Sequence, residues 1–274
     1  MSARHESLEG HRARKQFGQN FLVDERIVRE ILAITDPRPG QRIVEIGAGL
    51  GALTAGLLAG GAELIAIEID RDLLPRLRHR FGAEPRFSLL ARDALQVDLH
   101  ALAAGGRLRV VGNLPYNISS PLLFHLLAAM DVLDDATVML QHEVAARLAA
   151  APRCADYGRL SVAAQACCRV DLVLAVPPES FEPRPKVDSS VVRLTPHAAL
   201  PSPALRLALG RITQQAFSLR RKMVRHSLGR LFGEAELAAC GVDPRQRPEE
   251  IGVAQYLALA GLIEAQAEVV KSPS

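Results

Sequence analysis

The sequence predicts an α/β fold with a mostly parallel sheet, followed by a small all-α region. From about residue 40, short apolar runs alternate with longer helix-like stretches, which is the pattern of repeated βα units. Two β-like runs then flank a proline-rich segment that contains no helical crossover, which favours an antiparallel finish to the sheet. Beyond residue 203 every periodic stretch is helical.

Seven apolar runs are predicted to form the sheet, five in its parallel part and two that close it. The strands are predicted at residues 42–46, 63–69, 86–90, 107–111 and 137–140, and then at 170–175 and 189–194. The helices between them are predicted at residues 50–58, 72–81, 120–130 and 143–150.

The 274 residues suit one large domain and a smaller one, since single domains typically hold ~100–200 residues. The best linker candidate is TPHAALPSP at residues 195–203, which holds three prolines and ends the β-type pattern. We therefore predict one domain over residues 1–196 and an all-α domain over residues 203–274. Helices are predicted in the latter at residues 205–219, 222–232, 235–240 and 248–267.

The composition excludes several classes of protein. Hydrophobic residues make up 49% and charged residues 23%, which is typical of globular chains and not of disordered, collagen-like or coiled-coil ones. No apolar run reaches the ~18 residues that span a bilayer, and the charged N-terminus lacks a signal-peptide core, so a soluble, cytoplasmic protein is expected. The four cysteines have no CxxC spacing, which predicts reduced thiols and no metal site.

The first predicted strand leads into IVEIGAGLGALT, which places Gly47, Gly49 and Gly51 on a strand-to-helix turn. Glycines let the backbone approach a ligand closely, and the helix that follows offers free N–H groups. Glu68 comes 21 residues after Gly47, at the spacing of an acid that binds ribose hydroxyls. The pattern suits both NAD and S-adenosylmethionine, and a plain connecting turn is the structural alternative.

Asp93 stands at the end of the third predicted strand, in ARDAL, and therefore next along the same edge of the sheet. Its carboxylate can accept a hydrogen bond from an exocyclic amine such as that of adenine. Capping the helix that follows is the alternative role of this side chain. Glu45, two residues before the glycine turn, is a further candidate whose direction the sequence leaves open.

The fourth predicted strand leads into VVGNLPYNISSPLLF, a segment that indicates the reaction. Methylating an aromatic amine requires its delocalised lone pair to leave the ring plane. The side-chain carbonyl of Asn113 and a main-chain carbonyl held by the rigid Leu114–Pro115 bond can accept both N–H hydrogens of such an amine. Tyr116 can stack on an extruded base. An Asn-x-Pro turn before a helix is the alternative for the whole segment.

Other catalytic motifs are absent from the sequence. His142 and Glu143 fail as an HExxH zinc motif, because Ala146 stands where the second His is required. Neither a GxSxG elbow nor a GxxxxGK[ST] loop occurs, which argues against serine hydrolases and P-loop enzymes. No general base is required, since water can take the proton that the alkylated amine releases.

A series of motifs runs along the chain from RKQFGQNFLVD near the N-terminus to AFSLRRKMVRHSL in the helical region. Between these two stand IVEIGAGLGALT, AIEID, ARDA, NLPYNISSPLLF, VMLQHEVAARL, YGRLSV and FEPRPKVDSSVVRL. In this order and spacing the motifs resemble those of the adenine-N6 dimethyltransferases of ribosomal RNA. The proline-rich and C-terminal motifs are most similar to the bacterial small-subunit branch, which dimethylates two adjacent adenosines in the 3′-terminal hairpin of 16S rRNA.

The resemblance implies a Rossmann-like class I methyltransferase domain with a mostly parallel seven-stranded sheet and an antiparallel last strand. It also implies S-adenosyl-L-methionine as the cofactor. By motif, Asn20 and Leu22 close over this cofactor, while Gly47, Glu68 and Asp93 contact its methionine, ribose and adenine parts.

The resemblance also assigns residues to the target base. Asn113 lines both the cofactor and the base, and Phe181 sandwiches the target adenine with Tyr116. Taken without the resemblance, Phe181 is more typical of core packing, and Phe17 and Phe21 are typical of staples for the helix that follows.

The net charge of +3 hides an uneven distribution along the chain. Residues 189–233 contain no acidic residue and eight basic ones: Arg193, Arg206, Arg211, Arg220, Arg221, Lys222, Arg225 and Arg230. A charge run is ordinarily a solvated face, but an acid-free stretch of this length favours contact with phosphate. We predict an RNA-binding surface that includes Arg220, Arg221, Lys222 and Arg225, together with the basic segment at residues 12–15.

These features predict an enzyme that dimethylates the N6 amines of two adjacent adenosines of 16S rRNA and acts as a monomer on a partly assembled small subunit. Methylation of 23S rRNA and a non-catalytic role as an RNA-binding assembly factor are the alternative functions. An NAD-dependent oxidoreductase is a third alternative, which a cofactor-binding titration distinguishes from a methyltransferase.

Overall fold

A computed structural model describes residues 18–271. Its strands are β1 (Phe21–Leu22), β2 (Arg42–Ile46), β3 (Glu63–Glu68), β4 (Phe87–Ala91), β5 (Leu108–Asn113), β6 (Leu133–Gln141), β7 (Cys168–Val176), β8 (Phe181–Glu182) and β9 (Ser189–Pro196). Its helices are α1 (Glu25–Thr35), α2 (Thr54–Ala59), α3 (Leu74–Phe81), α4 (Leu99–Ala103), α5 (Ser119–Ala128), α6 (His142–Ala149), α7 (Arg159–Cys167), α8 (Pro203–Ser218), α9 (Val224–Ser227), α10 (Glu234–Ala239) and α11 (Val253–Lys271).

Seven of these strands form one sheet in the order β4-β3-β2-β5-β6-β9-β7. Strands β2 to β6 run parallel to one another, and β9 runs antiparallel to β6, with Ser189 opposite Gln141. The last strand along the chain is therefore antiparallel, as predicted, but it lies inside the sheet with β7 at the edge. Strands β1 and β8 form a separate antiparallel pair in which Leu22 lies opposite Phe181.

The central strands are mostly apolar, as expected for a parallel sheet whose two faces are covered by helices. Every residue of β5 is buried except Asn113 at its carboxyl end, which is half-buried. Strand β2 is buried from Ile43 onward. The carboxyl ends of β2, β3, β4 and β5 meet at one edge of the sheet, where an open α/β fold forms its ligand crevice.

Two predicted helices are shorter than expected, for local reasons. The helix predicted at residues 50–58 begins at Thr54, because Gly49 and Gly51 have φ of +58° and +80° and hold the preceding chain in turns. The helix predicted at residues 222–232 is reduced to α9, because turns closed by hydrogen bonds from residue i+3 to residue i stand at both of its ends, from Lys222 to Leu219 and from Leu231 to Leu228. Helix α7 was not predicted, and β6 begins at Leu133 instead of residue 137.

The contacts divide the described residues into two compact units. One contains the residues up to 145 and residues 171–196, and the other contains residues 146–170 and those from 197 onward. The second unit packs α7, α8 and α11 together, and the rings of Tyr157, Phe217 and Tyr256 meet in its core at 6.2 and 6.0 Å. The predicted domain boundaries at residues 196 and 203 stay a prediction, since contacts do not test independent folding. Among residues 18–271, no helix is long and apolar enough to cross a membrane.

Candidate active site

The glycine turn after β2 has a backbone conformation and close neighbours that favour glycine. Gly47 and Gly49 have φ of +73° and +58°, in the left-handed region that side chains rarely adopt. A Cβ atom added to Gly49 would stand 3.2 Å from Cδ1 of Phe21. The Gly47 amide donates to the Ile67 carbonyl at 2.9 Å, which ties the turn to β3. The turn therefore leaves its backbone open to a ligand.

Glu68 ends β3 and organises the turn beside it. Its carboxylate accepts three backbone hydrogen bonds of 2.9 Å, from the amides of Gly49, Ile69 and Asp70. The side chain is 6% exposed, and burial raises its pKa above the ordinary value although the three amides oppose the shift. A carboxylate has about four lone-pair directions, so these three bonds leave one acceptor direction, on Oε2, for a hydrogen bond from a ribose.

Asp93 serves as a cap and also lines the crevice. Its Oδ1 accepts from the Leu95 amide at 3.0 Å and caps the short 3₁₀ turn after β4. The same residue lines the cavity that Gly47 and Glu68 line. The capping alternative is therefore present in the structure, and it is compatible with a contact between the carboxylate and an amine.

Asn113 stands at the end of β5 with its amide oriented by a long-range contact. Its Nδ2 donates to the carbonyl of Asn20 at 2.8 Å. With the nitrogen turned to Asn20, Oδ1 is the remaining acceptor of the side chain. The Leu114 amide donates to the Met139 carbonyl of β6, and the Pro115 carbonyl accepts from the Ile118 amide at 3.1 Å. Backbone hydrogen bonds therefore fix this turn.

Tyr116 follows this turn and is half-buried on the cavity wall. Its hydroxyl lies 2.6 Å from Oγ of Ser189 at the start of β9. Burial raises the pKa of the Tyr116 phenol, and the bond to Ser189 opposes that shift. The Tyr116 carbonyl accepts from Oγ of Ser119 at 3.2 Å, so the residue is held at its backbone and at the tip of its ring.

Residues 18–22 form a strap along the cavity. Gln19 donates to Oδ2 of buried Asp70 at 2.8 Å, and Phe21 packs over Gly49. Asn20 lines the cavity as predicted, whereas Leu22 is 7% exposed and belongs to the apolar core. Gln19 and Phe21 also line the cavity but were missed, although both stand within the GQNFL motif.

Phe181 is placed in the core and not on the described cavity wall. Its side chain is 4% exposed and packs in the apolar cluster that also holds Leu22. The structure pairs Phe181 with Leu22, and the sandwich of the target adenine between Phe181 and Tyr116 stays a prediction. Phe17, predicted to be a helix staple, lies outside the described residues.

The cavity encloses about 240 Å³ and combines acceptors with apolar walls. Predicted residues on it are Asn20, Gly47, Glu68, Asp93, Asn113, Leu114, Pro115 and Tyr116, and apolar partners include Ile46, Ile67, Ile69, Ile118 and Leu122. Two carboxylates at successive strand ends suit the hydroxyls and amine of an adenosyl group, and the aliphatic side chains suit its ring. The residues present therefore fit S-adenosylmethionine.

Glu45 points away from this cavity edge toward α2. Its Oε2 accepts from Oγ1 of Thr54 at 2.6 Å, and both residues are buried. Burial raises the pKa of Glu45 to about 8, helped by the nearby charge of Glu68 and opposed by the Thr54 bond. The contact with Thr54, nine residues along the chain, gives the direction that the sequence left open.

Five of the eight basic residues in the acid-free stretch fall into two groups. Arg220 is half-buried, donates to the Ala155 carbonyl and lies 3.4 Å from the Glu249 carboxylate. Arg193 pairs with the buried carboxylate of Asp135. Both arginines therefore have internal partners, and the contact of Arg220 with RNA stays a prediction.

The second group consists of Arg221, Lys222 and Arg225, which are exposed around the start of α9. They lie close together in the sequence on a turn and a short helix, in the same compact unit. The basic segment at residues 12–15 lies outside the described residues. Within residues 18–271, no three His, Cys, Asp or Glu side chains are grouped to hold a metal ion.

Comparison with known proteins identifies the family. The profile of the family described as "Ribosomal RNA adenine dimethylase" matches residues 10–265. The "Ribosomal RNA small subunit methyltransferase A" of Pseudomonas aeruginosa is 51% identical over 255 residues, covering 92% of this chain and 95% of that protein. The protein of the same name from Yersinia pestis strain Pestoides F is 50% identical over 262 residues, covering 94% and 96%.

Solved structures support the same fold. The 23S rRNA methyltransferase ErmE has a TM-score of 0.69 at 26% identity and covers 89% of this chain and 100% of its own. A dimethyladenosine transferase from Plasmodium falciparum has a TM-score of 0.73 at 23% identity, covering 91% and 98%. The fold and its glycine turn are those of a class I methyltransferase. The chain belongs to the ribosomal RNA adenine dimethylase family, whose methyl donor is S-adenosylmethionine.

Proposed function

We propose that the protein transfers methyl groups from S-adenosyl-L-methionine to the N6 amines of two adjacent adenosines in the 3′-terminal hairpin loop of 16S rRNA. Two relatives named as small-subunit methyltransferases, each about half identical over more than nine-tenths of the chain, support this substrate. The structural observation that carries the proposal is the contact between Asn113 and Asn20, because it holds the side chain of a residue that lines the same cavity as Glu68 and Asp93.

In this proposal, three strand ends hold the cofactor. The backbone of Gly47 contacts its methionine part, the Glu68 carboxylate accepts from its ribose hydroxyls, and Asp93 accepts from its adenine amine. S-adenosylmethionine supplies an electrophilic methyl group. The strap at residues 18–22 excludes water from one side, since Gln19 is tied to Asp70 and Asn20 to Asn113.

The target amine is bound by the turn at Asn113 to Tyr116. Oδ1 of Asn113 and the carbonyl of Leu114 accept its two N–H hydrogens, which favours a pyramidal nitrogen with its lone pair directed at the methyl group. The Pro115 carbonyl accepts from the Ile118 amide, which fixes the turn that follows Leu114. Placing the nitrogen near the methyl group in this orientation accounts for most of the rate acceleration, and water takes the released proton.

Tyr116 stacks on one face of the extruded adenine, which stabilises it by ~1–3 kcal/mol. Phe181 is proposed for the other face. Since its ring is packed in the core, it must turn out of that cluster when the base enters. The exposed cations Arg221, Lys222 and Arg225 are proposed to contact RNA phosphates and to position the hairpin.

The test is methyl transfer from labelled S-adenosylmethionine to unmodified small subunits, large subunits and duplex DNA in parallel. We expect label in the small subunit, in the 3′-terminal fragment of 16S rRNA. Label in 23S rRNA would instead support 23S rRNA as the substrate, as in the name of the 23S rRNA methyltransferase ErmE. Binding to small subunits without any label would support a non-catalytic assembly factor.

A further inference from the structure

We propose that Ser189 is a positioning residue that holds the Tyr116 ring in the direction in which it stacks on the target adenine. This inference rests on the function proposed above. Ser189 stands 73 residues from Tyr116, on strand β9, and the described residues that line the cavity come from other elements.

The topology brings these two residues to one edge of the sheet. Because β9 is antiparallel to β6, its first residue lies at the carboxyl end of the parallel strands, with Ser189 opposite Gln141. Tyr116 follows β5, which neighbours β6 on its other side. The Tyr116 side chain thus extends past β6 toward β9, and the two hydroxyls meet at 2.6 Å.

The contact fixes the tip of the Tyr116 ring, which is the end farthest from its backbone, so it restricts where the ring points. Ser189 is 0% exposed, and a buried hydroxyl without a partner is costly. Each hydroxyl therefore satisfies the other. A tyrosine has only two side-chain torsions, and a backbone held by Ser119 together with a fixed phenol leaves the ring little freedom before the base arrives.

The neighbouring serine supplies a matched control. Ser190 is 3% exposed on the same strand, and its Oγ lies 2.9 Å from Nδ1 of His142 instead of Tyr116. Ser190→Ala therefore removes a buried hydroxyl of the same size from the same strand and leaves the Tyr116 contact intact.

The experiment measures kcat and KM for small subunits, and Kd for S-adenosylmethionine, with the full-length protein. Ser189→Ala is expected to lower kcat/KM about 3- to 10-fold, the effect of removing one hydrogen bond, with the cofactor Kd unchanged. Tyr116→Phe removes the same bond and keeps the ring, so it should cause a similar decrease. Adding Ser189→Ala to Tyr116→Phe should cause no further decrease, and Ser190→Ala should match the wild type.

Three results would overturn the role of Ser189: wild-type kinetics in Ser189→Ala, an equal decrease in Ser190→Ala, or a full additional decrease on the Tyr116→Phe background. The proposed function fails separately. If the wild type methylates large subunits instead of small ones, the substrate assignment is wrong, and the ratios between the variants on that substrate still decide the role of Ser189. If the wild type methylates neither, both proposals are wrong.

Discussion

Nδ2 of Asn113 donates to the backbone carbonyl of Asn20 across 2.8 Å, although 93 residues separate them. This hydrogen bond joins the end of β5 to the strap that lines the cavity. Because Nδ2 of Asn113 donates this hydrogen bond, Oδ1 is the side-chain atom that can accept one from a ligand. The hydrogen bond therefore links the residue proposed to bind the target amine to the segment proposed to cover the cofactor.

Replacing Asn113 tests that arrangement. Asn113→Ala should lower kcat by about 10²–10³-fold, the effect of removing one oriented group that acts in the transition state. Cofactor binding should be largely retained, since Glu68 and Asp93 remain. Single-turnover methyl transfer and calorimetric titration with S-adenosylmethionine measure the two quantities, and unchanged turnover would remove Asn113 from the mechanism.

Glu68 is predicted to control cofactor affinity. Glu68→Ala removes an acceptor for the ribose hydroxyls and also frees three backbone amides, so the Kd for S-adenosylmethionine should rise by about 100-fold. Glu63→Ala is the matched control, because Glu63 is exposed and lies at the other end of β3, away from the cavity. Equal affinities of the two variants, measured by calorimetry, would contradict the assignment.

Charge reversal tests the predicted RNA surface. Arg221→Glu with Lys222→Glu should weaken binding to small subunits and reduce the slope of log K against log salt by about 1 for each phosphate that the protein no longer neutralises. Arg29→Glu with Arg78→Glu reverses the same number of exposed charges in the other compact unit. If both double variants change the slope equally, only net charge matters and the predicted surface is wrong.

Glu45 predicts a pH dependence of stability. Its pKa is about 8 in the folded protein and near 4.5 when free, so the unfolded chain releases a proton within this window that the folded chain retains. The free energy of unfolding should therefore fall as pH rises from 4.5 to about 8 and level off above. Glu45→Gln should remove this pH dependence. The Tm of the wild type should therefore fall relative to that of the variant as pH rises from 4.5 to about 8. Parallel Tm curves would show that Glu45 is ionised when folded.

Local patterns predicted most of the site, because parallel strands end at one edge. Gly47, Glu68, Asp93 and Asn113 each follow an apolar run, so their meeting on one cavity followed from the order of the strands. The same patterns did not reveal Gln19, whose importance depends on a contact with Asp70 that only the folded chain creates.

Pairings between distant segments account for what the sequence did not predict. The β1–β8 pair places Leu22 opposite Phe181 in the core. A contact between segments this far apart cannot be predicted from local hydrophobic periodicity. Arg193 pairs with Asp135 and Arg220 with Glu249, and the charge run did not reveal these ion pairs because the partners lie far apart in the sequence. Charge counted along a chain cannot distinguish an internal ion pair from an exposed cation.

The decisive measurement is the number of methyl groups transferred to unmodified small subunits, with the modified nucleosides identified by mass spectrometry. The wild-type protein should convert two adjacent adenosines near the 3′ end of 16S rRNA to N6,N6-dimethyladenosine, and Asn113→Ala should bind S-adenosylmethionine without forming that product. Dimethyladenosine formed by Asn113→Ala at the wild-type rate, or its absence with the wild type, would contradict the proposed mechanism.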